Sequence, residues 1–453
     1  MTIESVVLSQ HAFFDTNATK NLSFRRESLE KLLGAITENK DAIFDALKAD
    51  LGKSEQEAYM TEVGLVIRAL KTAIANLHKW AKPLRHKTPL SHFPAKSYVL
   101  NEPYGVALIL APWNYPFFLS MSPLIGAIAA GNCVVLKTSR NSFHTSAVIS
   151  TIINNTFSSS YIYAVDSDCE YNEILSCKYD YIFFTGSERV GRIVMRYAGE
   201  NLTPVTLELD GKSPCIIDRT ANLNRAAKRI AWGKLLNAGQ TCVAPDYVVV
   251  PAEKKDLFVS YLQQYTQHFM PDALSNKDYP HIINLHHFIR LRNAIEKTSS
   301  VIGGRSDEKR FKIEPTFFTE ASFDDDIMKS EIFGPILPII SYEDLDSVLD
   351  LIKQRPKPLA CYIFSKNKAF QNKILSSLSF GGGCINDTVM QVANEHLPFG
   401  GVGNSGMGLY HGKYSFDTFS HKKAIHASGL LDMPFRYGPY DEKKYRTIRF
   451  FLH

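Results

Sequence analysis

An α/β protein built on parallel sheets is the fold class this sequence predicts, and three observations predict it. Residues 1–80 carry helical apolar stripes, short apolar runs alternate with helix-length segments from about Tyr104, and a second alternating block begins near Lys212. Apolar runs joined by crossover helices form parallel strands covered on both faces, a class that binds ligands at the carboxyl ends of its strands. The composition agrees: 45% hydrophobic and 21% charged residues exclude a collagen, a coiled coil and a disordered chain. At roughly 150 residues per domain, 453 residues suggest two to four domains.

Taken in order, Leu29, Leu32, Leu33 and Ile36 recur at helical spacing, and Val63, Ile67, Leu70 and Ile74 form a second stripe. Ala81–Tyr98, punctuated by Pro83, Pro89 and Pro94, reads as an extended connector. Strands are expected at Val106–Leu110, Cys133–Leu136, Tyr161–Val165, Tyr181–Phe184 and Val205–Leu209. Between them lie helical segments at Phe117–Ala130, Ser142–Ile153, Asn172–Cys177 and Arg189–Ala198. The second block includes strands at Tyr247–Val250, Ile336–Ile340 and Leu359–Phe364. The last forty or so residues are aromatic and basic and suit a docking tail, and Asp324–Asp326 reads as a solvated turn.

Pro103–Leu136 contains no charged residue and is long enough to span a bilayer. It is broken by Pro112, Pro116 and Pro123 and by Gly105, Gly126 and Gly131, so a buried strand–loop–helix–strand unit explains it better and no transmembrane segment is expected. The net charge of +5 comes from scattered basic residues, which gives no footprint for nucleic acid. Seven sparse cysteines, with no CxxC pair, exclude a disulfide scaffold and a zinc site. His281, His286 and His287 have only Asp278 nearby and match no ligand spacing, so no metal is expected. With no signal peptide at the N-terminus, a cytoplasmic location follows.

Four segments carry chemistry. Asn237-Ala-Gly-Gln-Thr-Cys242 sets a cysteine after a small, polar turn, where sulfur has room to attack and a nearby amide can hold an oxyanion. Cys133, Cys215 and Cys361 lie inside apolar strands and read as structural. Leu207-Glu208-Leu209-Asp210-Gly211-Lys212 ends a strand with a carboxylate among apolar residues. Lost solvation would raise the pKa of Glu208 and suit it to act as a base toward water, whereas the plain alternative is a surface carboxylate. Asn114, in Pro112-Trp113-Asn114-Tyr115-Pro116, is either a turn residue or an amide donor to an oxyanion. Phe184-Thr185-Gly186-Ser187-Glu188-Arg189-Val190-Gly191 runs from a strand into a helix whose first amides suit phosphate.

Together with Val134–Lys137, Glu331–Pro335 and Pro398–Gly408, these motifs resemble the aldehyde dehydrogenase superfamily in order and spacing over nearly the whole chain. The length and aromatic tail are similar to its class 3-like branch, which includes fatty and aromatic aldehyde dehydrogenases. The resemblance implies a Rossmann-like NAD(P)-binding domain (1–80 and 104–211), a second α/β catalytic domain (212–411), and a bridging arm (81–103 and 412–453) supporting a homodimer. It implies Cys242 as nucleophile, Asn114 with the Cys242 amide as oxyanion donors, and Glu208 as the base that releases a carboxylic acid. The same resemblance places Glu331 on the nicotinamide ribose with Phe333 beside it, Trp113 among the cofactor contacts, and Lys137 on the adenosine ribose. Gly186, Ser187 and Gly191 would border the pyrophosphate.

Two departures stand out. Lys137-Thr138-Ser139-Arg140 replaces the family's usual Lys-Pro-Ser-Glu, whose glutamate repels a 2′-phosphate. Arg140 reverses that charge, so NADP is expected to be used well and preferred to NAD. Asp210 stands where the family usually has glycine, and a second carboxylate close to Glu208 would raise its pKa further. Tyr115, Trp232 and the aromatic tail are compatible with an apolar aliphatic or aromatic aldehyde. Two other readings share the scaffold: an acylating enzyme passing its thioester to coenzyme A, and a catalytically silent binding or structural protein. Glu208 argues against the first and the full set of catalytic residue types against the second.

Overall fold

The structure, a computed structural model, describes residues 2–431 and 433–452. Five parallel strands form most of its first sheet: Val106–Leu110, Cys133–Lys137, Ile162–Ala164, Tyr181–Thr185 and Val205–Glu208. Their Val-, Ile- and Phe-rich cores are buried, and the helices Pro116–Ala130, Phe143–Thr156, Tyr171–Leu175 and Glu188–Asn201 connect them. Val106–Leu110 pairs with Cys133–Lys137 on one side and with Tyr181–Thr185 on the other. The strand order therefore reverses there, and a crevice opens between the loops that follow those two strands. Those loops carry Trp113-Asn114 and Gly186-Ser187.

A sixth strand, Gly406–Met407, runs antiparallel along Val205–Glu208 with Gly406 opposite Glu208. Gly406 has φ 143° and a Cβ there would lie 2.2 Å from the Leu207 carbonyl, so the approach needs glycine. The second sheet has seven strands, the expected Tyr247–Pro251, Ile336–Tyr342 and Ala360–Phe364 among them. Gly382–Ile385 extends it although its two glycines resemble a turn. A Cβ at Gly383 would sit 2.0 Å from the Cys361 carbonyl, so close strand approach explains the composition.

Two sequence expectations shift. The buried face of the helix Gly64–Ala81 is Val66, Leu70, Ala73 and Leu77, while Ile67 and Ile74 are half-buried on its flank. The segment Ala81–Tyr98 is more than a connector: Leu84–His86 pairs with Lys96–Pro103, which pairs along its length with Ser420–Ala427. The tail beyond forms the helix Glu442–Leu452, which has no buried residue and touches the turn Leu90–His92.

The uncharged stretch resolves into strand, loop, helix and strand. All fifteen residues of the helix Pro116–Ala130 are buried, which accounts for the missing charges. Among the described residues no helix is long and apolar enough to cross a membrane. Pro116 starts this helix without a donor of its own, and the next two N–H groups, of Phe117 and Phe118, donate to Glu62 Oε2 at 2.9 and 3.1 Å. Glu62 Oε1 is 2.5 Å from Lys53 Nζ, both side chains being fully buried. Glu62→Ala would strand a buried ammonium and two helix-start donors. We expect a stability loss of about 3–5 kcal/mol, read as a lower urea midpoint by circular dichroism, with Glu62→Gln losing less.

Candidate active site

The segment before Cys242 is a compressed turn. After the helix Leu223–Leu235, Asn237 and Ala238 both have φ 50° and Gly239 has φ 76°. Three consecutive left-handed residues are costly and persist only under outside constraint. Here that constraint is a buried hydrogen-bond network. Glu57 Oε1 accepts the Asn237 N–H at 2.6 Å, and the Asn237 side-chain amide donates to the carbonyls of Asn114 and Gln240. Gln240 in turn donates to Asn237 O and His281 O and accepts the Ile283 N–H. The Tyr115 hydroxyl meets Thr241 Oγ1 at 2.6 Å. Burial raises the Glu57 carboxyl to about 7, with Lys53 opposing the rise.

Asn114 is fixed from the other side. Its carbonyl accepts Lys53 Nζ, and its side-chain amide donates to Gln240 O at 3.1 Å. An amide nitrogen carries two protons, so one remains for another acceptor. The loop holding the amide and the turn holding the cysteine are thus parts of one network, and both face a cavity of about 480 Å³.

That cavity brings together Cys242, Glu208, Asn114, Trp113, Gly186, Ser187, Glu331 and Phe333. Trp113 meets Phe333 edge to face at 5.3 Å and His287 at 5.2 Å. Tyr115, Trp232, Phe118 and Leu119 add apolar wall. Both oxygens of Glu208 are buried without a hydrogen-bond partner, and burial holds its carboxyl well above the ordinary range. Burial also raises the Cys242 thiol, and the carboxyls of Glu331, Glu208 and Asp210 push it further up. Among the described residues no three His, Cys, Asp or Glu side chains are placed to hold a metal.

The aldehyde dehydrogenase family model matches residues 2–425. This chain belongs to the aldehyde dehydrogenase family. It is 47% identical to the 4,4'-diaponeurosporen-aldehyde dehydrogenase of Staphylococcus aureus over 99% of each chain. It is 40% identical to the dimeric NADP-preferring aldehyde dehydrogenase of Rattus norvegicus, covering 95% of this chain and 96% of that one. A solved substrate-bound state of Staphylococcus aureus AldH superposes with a TM-score of 0.97 over the whole of both chains at 46% identity. The enzyme is an NAD(P)-dependent aldehyde dehydrogenase of the α/β fold the sequence implies, similar to family 3 aldehyde dehydrogenases.

Three expected cofactor residues of this dehydrogenase lie outside the cavity lining. Lys137, at the end of its strand, is buried and donates to the carbonyls of Ser167 and Thr138. Arg140 is exposed and pairs with Glu170 at 3.1 Å. Gly191 packs inward, where a Cβ would stand 2.7 Å from Leu209 Cδ2, so helix–strand closeness requires this glycine. Asp210 takes a direction the sequence left open. It lines the cavity and accepts the Glu188 N–H at 3.3 Å, and the rise at Glu208 comes from burial alone.

Sequence reasoning missed Lys53, Glu57 and Glu62, and it missed a second clamp. Lys212 Nζ lies 2.5 Å from Asp246 Oδ2 and donates to the carbonyls of Ile327 and Ser330, while Asp246 Oδ1 accepts the Ile332 N–H. The residues on both sides of Glu331 are therefore anchored to the strand end that carries Glu208. Lys212→Met should free that segment. We expect the cofactor KM to rise about tenfold, one buried charged hydrogen bond's worth of order, with the aldehyde KM changing less. Steady-state kinetics varying each substrate in turn would check this.

Proposed function

We propose that this enzyme oxidises an apolar aldehyde to its carboxylic acid through a Cys242 thioester hydrolysed by water that Glu208 activates. The observation carrying this reading is Glu208 itself, an unpartnered buried carboxyl in the same cavity as the cysteine. A structural carboxylate would be paired or exposed. A carboxyl kept desolvated, with its pKa raised by burial, is a stronger base toward water than an exposed one. Such a base has no task in an enzyme that passes its acyl group to coenzyme A.

The residues present fit a nicotinamide dinucleotide. Ser187 stands at the start of the helix Glu188–Asn201 and its hydroxyl caps no amide, so the first-turn N–H groups after that of Glu188, which Asp210 takes, are able to meet phosphate. Glu331 offers a carboxyl for ribose hydroxyls, and Trp113 and Phe333 supply aromatic walls. When bound, the cofactor supplies the hydride acceptor. The Cys242 sulfur adds to the aldehyde carbon, and the free Asn114 N–H with the Cys242 backbone N–H holds the oxygen that becomes negative. After oxidation to the thioester, Glu208 takes a proton from water, which attacks the thioester carbon and releases the acid and the thiolate.

The apolar wall of Phe118, Leu119, Trp232 and Val243 supports an aliphatic or aromatic substrate. The Staphylococcus aureus relative, named for 4,4'-diaponeurosporen-aldehyde, is consistent with that choice. We assign residues 1–80 and 104–211 to cofactor binding, 212–411 to catalysis, and the segments 81–103 and 412–453 to a homodimer contact. The relative named dimeric supports the last assignment. A cytoplasmic setting accords with its free cysteines.

NADP is proposed as the better cofactor. The Arg140–Glu170 pair is exposed on both sides, so it is worth about 1 kcal/mol or less, and a 2′-phosphate can displace the carboxylate. Arg140→Glu is expected to lower kcat/KM for NADP about tenfold and leave NAD nearly unchanged. A tenfold preference for NAD in the parent enzyme, about 1.4 kcal/mol, would overturn the assignment.

Cys242→Ser should form no NAD(P)H from aldehyde. Glu208→Gln should give one burst of NAD(P)H per site and then turn over at least a hundredfold slower, because the thioester forms without being hydrolysed. The base form of Glu208 appears only as pH rises through its elevated folded value, so parental turnover should climb with pH on a limb that Glu208→Gln lacks. Equal steady-state rates in the two proteins would defeat the proposal.

A further inference from the structure

Asp210 has no part in the chemistry above, yet its carboxyl faces the reacting cavity together with Cys242, Glu208 and Glu331. Its Oδ2 accepts the Glu188 N–H at 3.3 Å, at the positive end of the helix Glu188–Asn201, a contact that favours the ionised carboxyl. Burial raises the pKa of Asp210, and that N–H and the Glu331 side chain oppose the rise.

Among the described residues no cation forms an ion pair with Asp210. Lys212, two residues on, is turned to Asp246 and the carbonyls of Ile327 and Ser330. Arg290, which also lines the cavity, donates to Ile332 O. A negative charge in a largely apolar cavity is therefore left to act on whatever enters.

We propose that Asp210 is a specificity residue that makes this enzyme favour the oxidised over the reduced form of its nicotinamide cofactor. The inference rests on the Cys242 reading above, which fixes where the ring must lie: within hydride reach of a carbon bonded to that sulfur. In the oxidised form the ring carries a positive charge. The hydride that leaves the thiohemiacetal oxyanion takes two electrons with it, the C–O bond closes to the thioester carbonyl, and the cofactor ring that receives the hydride would then be neutral. Asp210 attracts the ring before that step and no longer does after it. Oxidised cofactor is thereby held more tightly, and reduced cofactor is freed for release while the thioester awaits water. The phosphates are the same in both forms, so their repulsion by Asp210 cancels in the comparison.

The test is equilibrium binding without aldehyde. Quenching of tryptophan fluorescence gives Kd for NAD+ and NADH with the parent, Asp210→Asn and Asp210→Gly, with ADP as a ligand lacking the ring. Charge pairs at such separations and partly screened by protein are expected to shift the ratio of reduced to oxidised Kd about fivefold to twentyfold. The ratio should fall by that amount in both variants. An unchanged ratio overturns the proposal. So does an equal tightening of NAD+, NADH and ADP, since that would mean Asp210 acts only on phosphate. Failure of the Cys242 and Glu208 reading would be visible separately, as loss of the expected burst in Glu208→Gln.

Discussion

The loop that brings Asn114 to the cavity depends on a charge pair placed where charges are expensive. Lys53 and Glu62 are both fully buried, and removing two ions from water costs several kcal/mol each. The cost is offset because every strong atom of the pair has further work. Glu62 takes the first N–H groups of the helix Pro116–Ala130, and Lys53 takes the Asn114 carbonyl and lies 3.9 Å over the Tyr115 ring. The helix start is thus a side-chain cap supplied from another helix. That cap sets where the chain leaves the strand Val106–Leu110, and with it where the Asn114 amide stands. Glu57, five residues before Glu62, repeats the device at Asn237 and holds the strained turn before Cys242. A short stretch of chain therefore positions both the turn before Cys242 and the loop that carries Asn114.

The cavity shows the opposite economy. Glu208 is buried without a partner, the arrangement that packing and hydrogen bonding would normally remove. It is tolerated because its strand is held on both sides, by Tyr181–Thr185 in parallel and by Gly406–Met407 in antiparallel register. Lys212 and Asp246 tie the end of the same segment to the residues around Glu331. Satisfied polar groups surround an unsatisfied one, and the stability they provide is what lets a reactive carboxyl stay desolvated.

The parts of this design that are local in the chain were legible from the sequence. The five parallel strands of the first sheet announce themselves as apolar runs, and Cys242 stands out from Cys133, Cys215 and Cys361 because its flanks are turn-like. The buried polar network was illegible because its partners are distant: Lys53 reaches residue 114, and Glu57 reaches residue 237. Within the sequence Lys53, Glu57 and Glu62 look like the solvated side of a helix. Gly382–Ile385 hid for a related reason, since its glycines answer to a neighbouring strand's backbone. Gly191 reads equally well as a phosphate-side or a packing glycine until Leu209 is seen beside it.

The contrast between buried and exposed charges also explains which properties of this enzyme are free to drift. Breaking Lys53–Glu62 would leave an unpaired ion in the core, a loss of about 3–5 kcal/mol that is a large share of a typical domain's stability. The Arg140–Glu170 pair is exposed on both sides, and exchanging either residue costs about 1 kcal/mol or less in folding. Yet the same 1 kcal/mol, applied to one cofactor and not the other, is nearly a tenfold change in preference. On the proposed role of Arg140, the nucleotide preference can change at this exposed pair without touching the network around Lys53 and Glu62. Asp210 occupies the middle ground: it lines the same cavity and leans on the Glu188 N–H, apart from the Lys53 contacts. Selection on the cofactor's redox state thus has a handle that the catalytic geometry does not share.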